Sequence, residues 1–345
     1  MHKQVKEVLK SALPPTTRML DRRVELLLSE NRALSNRVEQ LSGELSAVKN
    51  VLTSLRADGL RGRMKSEALS PLVGSPGVIV SVASYGPRIS HIAPMLESLG
   101  QQSVRPDRAF LWLPLRDFPK GVDDLPADVV CALYDARVEP RFVEDDLGPH
   151  NKYFWTMQAF PESIVITLDD DVRYPNDLIE YLMKMHRVWK SEIVARRARV
   201  ILSEGEGLCP YEAWPLELGS LLGSPSFSVI GTGVGGVLYP PHCLDEHVFD
   251  SDGIRSTCLR ADDLWLKVMS VIAGTKVVCP VPDCPLDYIP GTQEVALCDN
   301  NLYQGGNDTQ LTAILEYVSL FADEEDILRK MQGDARGFPR CEDAT

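Results

Sequence analysis

Two apolar periodicities divide this chain. Leu20, Leu27, Leu34, Leu41, Val48 and Leu55 recur every seven residues, and Val24, Asn31, Val38, Leu45 and Leu52 each follow four residues after the first five of them. This a/d spacing predicts a coiled coil over 17–57. Val at two a positions and Leu at most d positions favour two parallel strands, and Asn31 at an a position pairs with its own copy only in that register. Glu44 to Lys49 is the one good interhelical charge pair, so a homodimer is expected. The alternative is a long amphipathic helix folded back on the rest of the chain. Ahead of the coil, 1–15 places Lys3, Lys6 and Lys10 on one helical face and Val5, Val8, Leu9 and Leu13 on another. That predicts a short basic amphipathic helix, suited to weak contact with an anionic membrane surface and ended by Pro14-Pro15. Behind the coil, 58–76 carries Gly, Pro and Ser clusters without periodicity and reads as a linker.

From 77 onward the pattern changes to short apolar runs alternating with amphipathic stretches. The runs at 77–83, 109–113, 138–143 and 163–168 predict buried strands. Helical spacing appears at Ile89, Ile92, Met95, Leu96 and Leu99, then over 151–160, 178–189, 264–272 and 311–321. The stretch 193–202 reads as a strand or its approach, 237–239 as extended, and 275–279 as a short strand. Strand, helix, strand in this order predicts right-handed βαβ units and an α/β fold over 77–345.

The stretch S-I-V-I-T-L-D-D-D over 163–171 concentrates the chemistry. Side chains alternate along an extended chain, so Asp169 and Asp171 are expected to share a face and Asp170 to point away. They follow a buried strand at its carboxyl end, where open α/β sheets bind ligands. A divalent cation with oxygen ligands is the simplest means of keeping three adjacent carboxylates ionised. The reading is a Mg²⁺ or Mn²⁺ site, with Asp169 and Asp171 as ligands, holding a phosphorylated substrate. Capping of the next helix by the triplet is the plainer alternative, but Asn176 or Asp177 can cap that helix unaided.

Other candidates gather around this site. The turn at Ser84, Tyr85 and Arg88 follows the first strand, where Tyr85 can stack on a base and Arg88 reach a phosphate. Asn151 and Lys152 open the helix before the acidic strand, an arrangement that favours anions. Arg196, Arg197 and Arg199 can neutralise a diphosphate or pair with the aspartates. The glycines of 231–236 match G-x-G-x-x-G by letter, but 237–239 continues extended into Pro240-Pro241, so no dinucleotide-binding helix begins there. Gly235 and Gly236 instead offer backbone for close approach by a sugar ring. Asp262 and Asp263 open a helix, one capping it and one free.

Composition narrows the class. The 345 residues are 44% hydrophobic, enough for a full α/β core and an appendage. A formal charge of −13 leaves no basic stripe for nucleic acid. The eight cysteines contain no C-x-x-C and read as reduced core thiols of a cytoplasmic protein. No apolar run has spanning length and no signal-peptide core is present, so a cytoplasmic protein, peripheral at the inner membrane face if 1–15 binds there, is expected.

The order of V-I-V-S-V-A-S-Y-G-P-R, S-L-G-Q-Q-S-V-R-P-D-R-A-F-L-W-L, I-V-I-T-L-D-D-D-V and A-D-D-L-W-L over about 77–275 resembles GT-A glycosyltransferases, the fold that moves a sugar from a nucleotide diphosphate to an acceptor. N-K-Y-F-W with I-V-I-T-L-D-D-D-V is also similar to the exostosin transferase domain. The resemblance implies a mixed sheet flanked by helices, divided into a nucleotide-binding half (77–171), an acceptor half (172–299) and a C-terminal loop and helices (300–345), with Gly305-Gly306 as hinge of a closing loop. It further implies a UDP-sugar or related donor, a glycan acceptor, and Asp263 as general base of an inverting transfer, with Asp262 beside it. Asp170 would bond the ribose or sugar, and Gly235 and Gly236 would line the sugars. A nucleotidyltransferase and an inert coiled-coil scaffold are the competing readings. A D-x-D-x-T phosphatase is disfavoured by Arg173.

Overall fold

A 52-residue helix, α1, spans Pro15–Ser66 and carries the whole heptad stretch. The computed structural model describes residues 15–66, 77–205, 207–283, 285–292 and 306–334. The basic helix expected at 1–15 therefore lies, but for Pro15, outside the described residues. Contacts divide the chain into a unit up to Leu55 and a second from Arg56. The first part of the linker expected over 58–76 is helical, to Ser66, and the rest lies outside the described residues. Two glycines suggested a break there; packing overrides their weak helix propensity. Ala57 and Leu60 are buried in the core of the second unit with Met64 packed against it. A Cβ on Gly59 would fall 2.5 Å from the Tyr134 ring, so only glycine lets this turn approach so closely.

The second unit contains, in chain order, β1 (Val78–Ala83), α2 (Ala93–Gly100), β2 (Arg108–Pro114), α3 (Ala127–Ala136), β3 (Glu139–Val143), α4 (Asn151–Ala159), β4 (Ile164–Leu168), α5 (Leu178–Val188), β5 (Ile193–Ala195), β6 (Ala198–Val200), β7 (Val229–Gly231), β8 (Val237–Tyr239), α6 (Asp262–Ile272), β9 (Val277–Val278), α7 (Gly306–Val318) and α8 (Glu324–Gly333). Seven of these strands form one sheet in the order β9-β5-β8-β4-β1-β2-β3. β1 runs parallel to β2 and β4, and β2 to β3, while β8 is antiparallel to β4 and β5. The mixed α/β sheet expected from the sequence is thus present. Its parallel strands deliver the chain segments after β1, β2, β3 and β4 to one edge.

Every residue of β4 is buried, as a run of large aliphatics in a central strand requires. One core cluster packs Val80, Leu111 and Ile166 with α2, α3 and α5; the other packs Tyr153, Trp214 and Trp265 with α4, α6 and α7. Three elements differ from the sequence reading. The helix expected over 89–99 is split into a turn at Gly86–Ile89 and α2, with a proline in the first turn of each. The stretch 193–202 divides into β5 in the large sheet and β6 paired with β7. Helix α3, unassigned in the sequence reading, fills the connection between β2 and β3.

The cysteines are only partly as expected. Cys131, Cys243, Cys258 and Cys279 are not in disulfides, whereas Cys209 is disulfide-bonded. Cys284, Cys298 and Cys341 lie outside the described residues. No described helix is long and apolar enough to cross a membrane.

Candidate functional site

Strand β4 ends at Leu168, and the chain bends at Asp170 and Asp171 before two more extended residues, Val172–Arg173. The bend removes the alternation on which the expected Asp169/Asp171 pairing relied. Asp170 and Asp171 instead share one guanidinium, with Arg88 Nη2 at 2.8 Å from Asp170 and 2.9 Å from Asp171. Ser84 Oγ donates to the other oxygen of Asp170 at 2.5 Å. Ser84 and Arg88 therefore bind the acidic segment itself, and Tyr85 stands half-buried between them in sequence. Burial pushes Asp170 up to about 6 against the pull of Arg88 and Ser84. Ile289 N–H bonds to the Asp171 carbonyl at 2.8 Å, and Asp287–Tyr288 pairs with Val172–Arg173, pinning the exit of the segment.

Asp169 belongs to a second cluster. Its Oδ1 accepts from Lys152 Nζ at 2.7 Å, and the same ammonium pairs with Asp262 at 2.8 Å. Lys152 is 4% exposed. Burial alone would lower its pKa, but Asp169, Asp262 and Asp263 together hold it well above the usual lysine value. Asp262 and Asp263 are the first two residues of α6, and its N-cap, Ala261, offers no side-chain bond. Neither aspartate is the capping residue anticipated. Asp263 accepts the Gly233 N–H on both oxygens at 3.1 Å. Burial and the neighbouring Asp262 raise Asp263 to about 8. Burial opposes ionisation of Asp262 as well, but Lys152 and His150 outweigh it and its pKa is lowered. The two adjacent carboxyls are thereby pushed apart.

Behind this cluster His150 is wholly buried. Its Nε2 lies 2.8 Å from the Cys258 carbonyl and must donate, so Nδ1 accepts from the Tyr153 hydroxyl at 2.9 Å. Burial lowers His150 to about 4, so the ring is neutral and serves as a fixed strut under the start of α6. Tyr174 joins the two sides of the site: its hydroxyl accepts from Asp169 N–H at 2.8 Å and donates to the Val234 carbonyl at 3.2 Å.

The expected residues do not all converge. Arg196 lies over the Tyr181 ring, 5.3 Å from its centroid, and is ion-paired to none of the aspartates. Arg197 pairs with Asp283 at 2.9 Å, and Arg199 bonds the Trp214 carbonyl. The residue of the glycine segment nearest the carboxylates is Gly233, ahead of the expected pair. A Cβ there would lie 2.8 Å from Lys152 Nζ, 3.1 Å from Asp263 Oδ1 and 3.3 Å from Asp169 Oδ1. At Gly235 it would meet Arg197, and at Gly236, whose φ is +89°, it would meet Leu168 and Leu178. Tyr174 and Gly233 were thus missed as site residues. The tyrosine five positions beyond Asp169 and the first glycine of the G-V-G turn were the available signals. Helix α5 likewise begins with Asp177 at its N-cap but without a side-chain capping bond.

The donor set suits a hard divalent cation. Asp169, Asp170, Asp171 and Asp262 pair with Arg88 and Lys152, and Asp263 accepts a backbone N–H, so five carboxylates gather around two cations. No three His, Cys, Asp or Glu side chains among the described residues are already grouped as a metal cage. The two expected ligands are held by different cations, Asp169 by Lys152 and Asp171 by Arg88.

No family model matches this sequence, and no curated protein matches it. Solved structures with partly similar folds include the mannosyltransferase PcManGT from Pyrobaculum calidifontis in complex with GDP-Man and Mn²⁺, at 11% identity and TM-score 0.40 over 81% of this chain and 86% of that one. S. aureus TarS is similar at 12% identity and TM-score 0.38 over 77% of this chain. This chain spans 44% of the length of that TarS structure. TarS 1-349 in complex with UDP-GlcNAc gives 13% identity and TM-score 0.39 over 74% of this chain and 71% of that one.

Proposed function

We propose that this protein is a glycosyltransferase that moves a sugar from a nucleotide-diphosphate donor, a UDP-sugar or a relative of it, to a hydroxyl of a glycan or similar acceptor. One observation carries the reading. At the carboxyl edge of the parallel strands, Asp169 and Asp263 converge on Lys152 and the bare backbone of Gly233, so an acidic donor site adjoins a buried carboxyl of raised pKa. Asp263 is the general base in this reading. A carboxyl raised to about 8 holds a proton acceptor near the working pH, and the Gly233 N–H fixes its orientation. Asp262, paired with Lys152, supports that geometry. Inversion at the anomeric carbon follows from a base acting directly on the acceptor.

Asp169 and Asp171 would hold Mn²⁺ or Mg²⁺, which supplies neutralisation of the charge that develops on the leaving diphosphate. Arg88 and Lys152 orient those carboxylates, and Ser84 steadies Asp170, which faces the ribose or sugar. Tyr85 would stack on the base. The neutral backbone of Gly233 would border the sugar-bearing side.

The test combines binding and products. A panel of nucleotide sugars is expected to raise the melting temperature with Mn²⁺ and much less with a chelator. Turnover should release a nucleoside diphosphate; pyrophosphate instead would support a nucleotidyltransferase. Asp171→Ala should abolish metal-dependent transfer or donor hydrolysis, and retained activity in that variant would overturn the metal assignment. Failure of every nucleotide sugar to bind would favour an inert domain carried by a coil.

A further inference from the structure

The seam of α1 is uncovered while a different face of the same helix is occupied. Leu20 is 64% exposed, Leu34 66% and Leu41 48%, and the remaining a and d residues from Val24 to Leu55 are exposed too, all but Asn31 apolar. Such a contiguous stripe on a charged helix is a contact surface. The heptad register continues past Leu55 onto Gly59 and Gly62, which end the seam, since a glycine offers no knob for a facing hole. The residues buried by the domain, Ala57, Leu60 and Met64, fall at f, b and f. They lie on the opposite side of the helix from a and d.

We propose that this seam binds a second copy of the same chain, in parallel and in register. Self-complementarity selects that occupant. Val24 and Val38 at a with Leu at most d positions suit two strands, and Asn31 meets its own amide across the axis only when both chains are parallel and unshifted. In that arrangement Glu44 of one chain, at g, faces Lys49 of the other, at e, whereas the remaining g and e positions carry no repulsive pair. A foreign helix would need to supply both the Asn and the matching charge. The pairing is independent of the transferase reading.

Light scattering on the full chain at micromolar concentration is expected to give twice the protomer mass. Leu34→Lys with Leu41→Lys should give the single mass, with the thermal transition of the 56–345 unit unchanged. Leu34→Cys should cross-link into a covalent dimer under mild oxidation, because d positions face each other only in a parallel, in-register pair. A monomeric or higher-order wild type, an unchanged mass for the lysine pair, or a Leu34→Cys chain that does not cross-link would overturn the proposal.

Discussion

At the residue scale, the site is decided by which carboxylate receives which cation. Lys152 binds Asp169 and Asp262, Arg88 binds Asp170 and Asp171, and Asp263 has a backbone N–H. Asp263, the carboxyl without a cation at hydrogen-bond distance, is pushed up to about 8 by burial and by Asp262. Asp263→Asn keeps an oxygen for Gly233 and removes the proton acceptor. Steady-state kinetics should show kcat falling about 10²- to 10⁴-fold with donor affinity retained, the range for a lost general base. Gly233→Ala contrasts with it. The added methyl would crowd the Lys152 ammonium and both neighbouring carboxylates, so donor binding and kcat should fall together.

At the element scale, α6 carries two unlike charges along one helix. Its first turn presents Asp262 and Asp263, favourable at a helix amino end. Further along, Lys267 is 3% exposed and its Nζ has no hydrogen-bond partner among the described residues. Burial lowers it from the ordinary 10.5 to about 7, with Asp334 opposing. The Phe227 ring lies 6.0 Å from this ammonium and within 5.3 and 5.8 Å of Lys276 and Lys330. Between about 7 and 10.5 the unfolded chain holds a proton at Lys267 that the folded chain lacks, so stability rises with pH through that window. The deficit is fully present below 7. Lys267→Met should melt above the wild type at pH 7, with the gap closing toward pH 10.5; Lys276, Lys330 and Asp334 are common to both proteins. A gap that widens with pH would contradict this.

At the scale of the whole molecule, the boundary between the two units falls inside a continuous helix. The core of the second unit begins at Ala57, so a chain starting at Arg56 should keep the thermal transition of that unit. A chain starting at Gly77 uncovers the surface under Leu60, and differential scanning calorimetry should show it destabilised. Burial of one leucine is worth about 1.5–3 kcal/mol, and Ala57 and Met64 add to it.

Much of this architecture was legible beforehand because it rests on local periodicity. The heptads state a long helix, and the aliphatic run of β4 and the helical spacing of α5 and α6 state their own burial, so elements and order follow from the residues. Lys152 was read as a contact for an anion, not as a partner of Asp169, and its bond to Asp262 joins residues far apart in the chain. The sharing of Arg88 depends on a bend after Leu168 that no apolar pattern records. Docking of Ala57, Leu60 and Met64 defeated the glycine signal in the same way, since burial against α3 outweighs a propensity of about 1 kcal/mol. Side-chain hydrophobicity, acting within a few turns, determined the elements and the faces they bury from the sequence alone. Which charge faces which was decided only by the tertiary structure, because ion pairs depend on distances between segments that sequence spacing does not set.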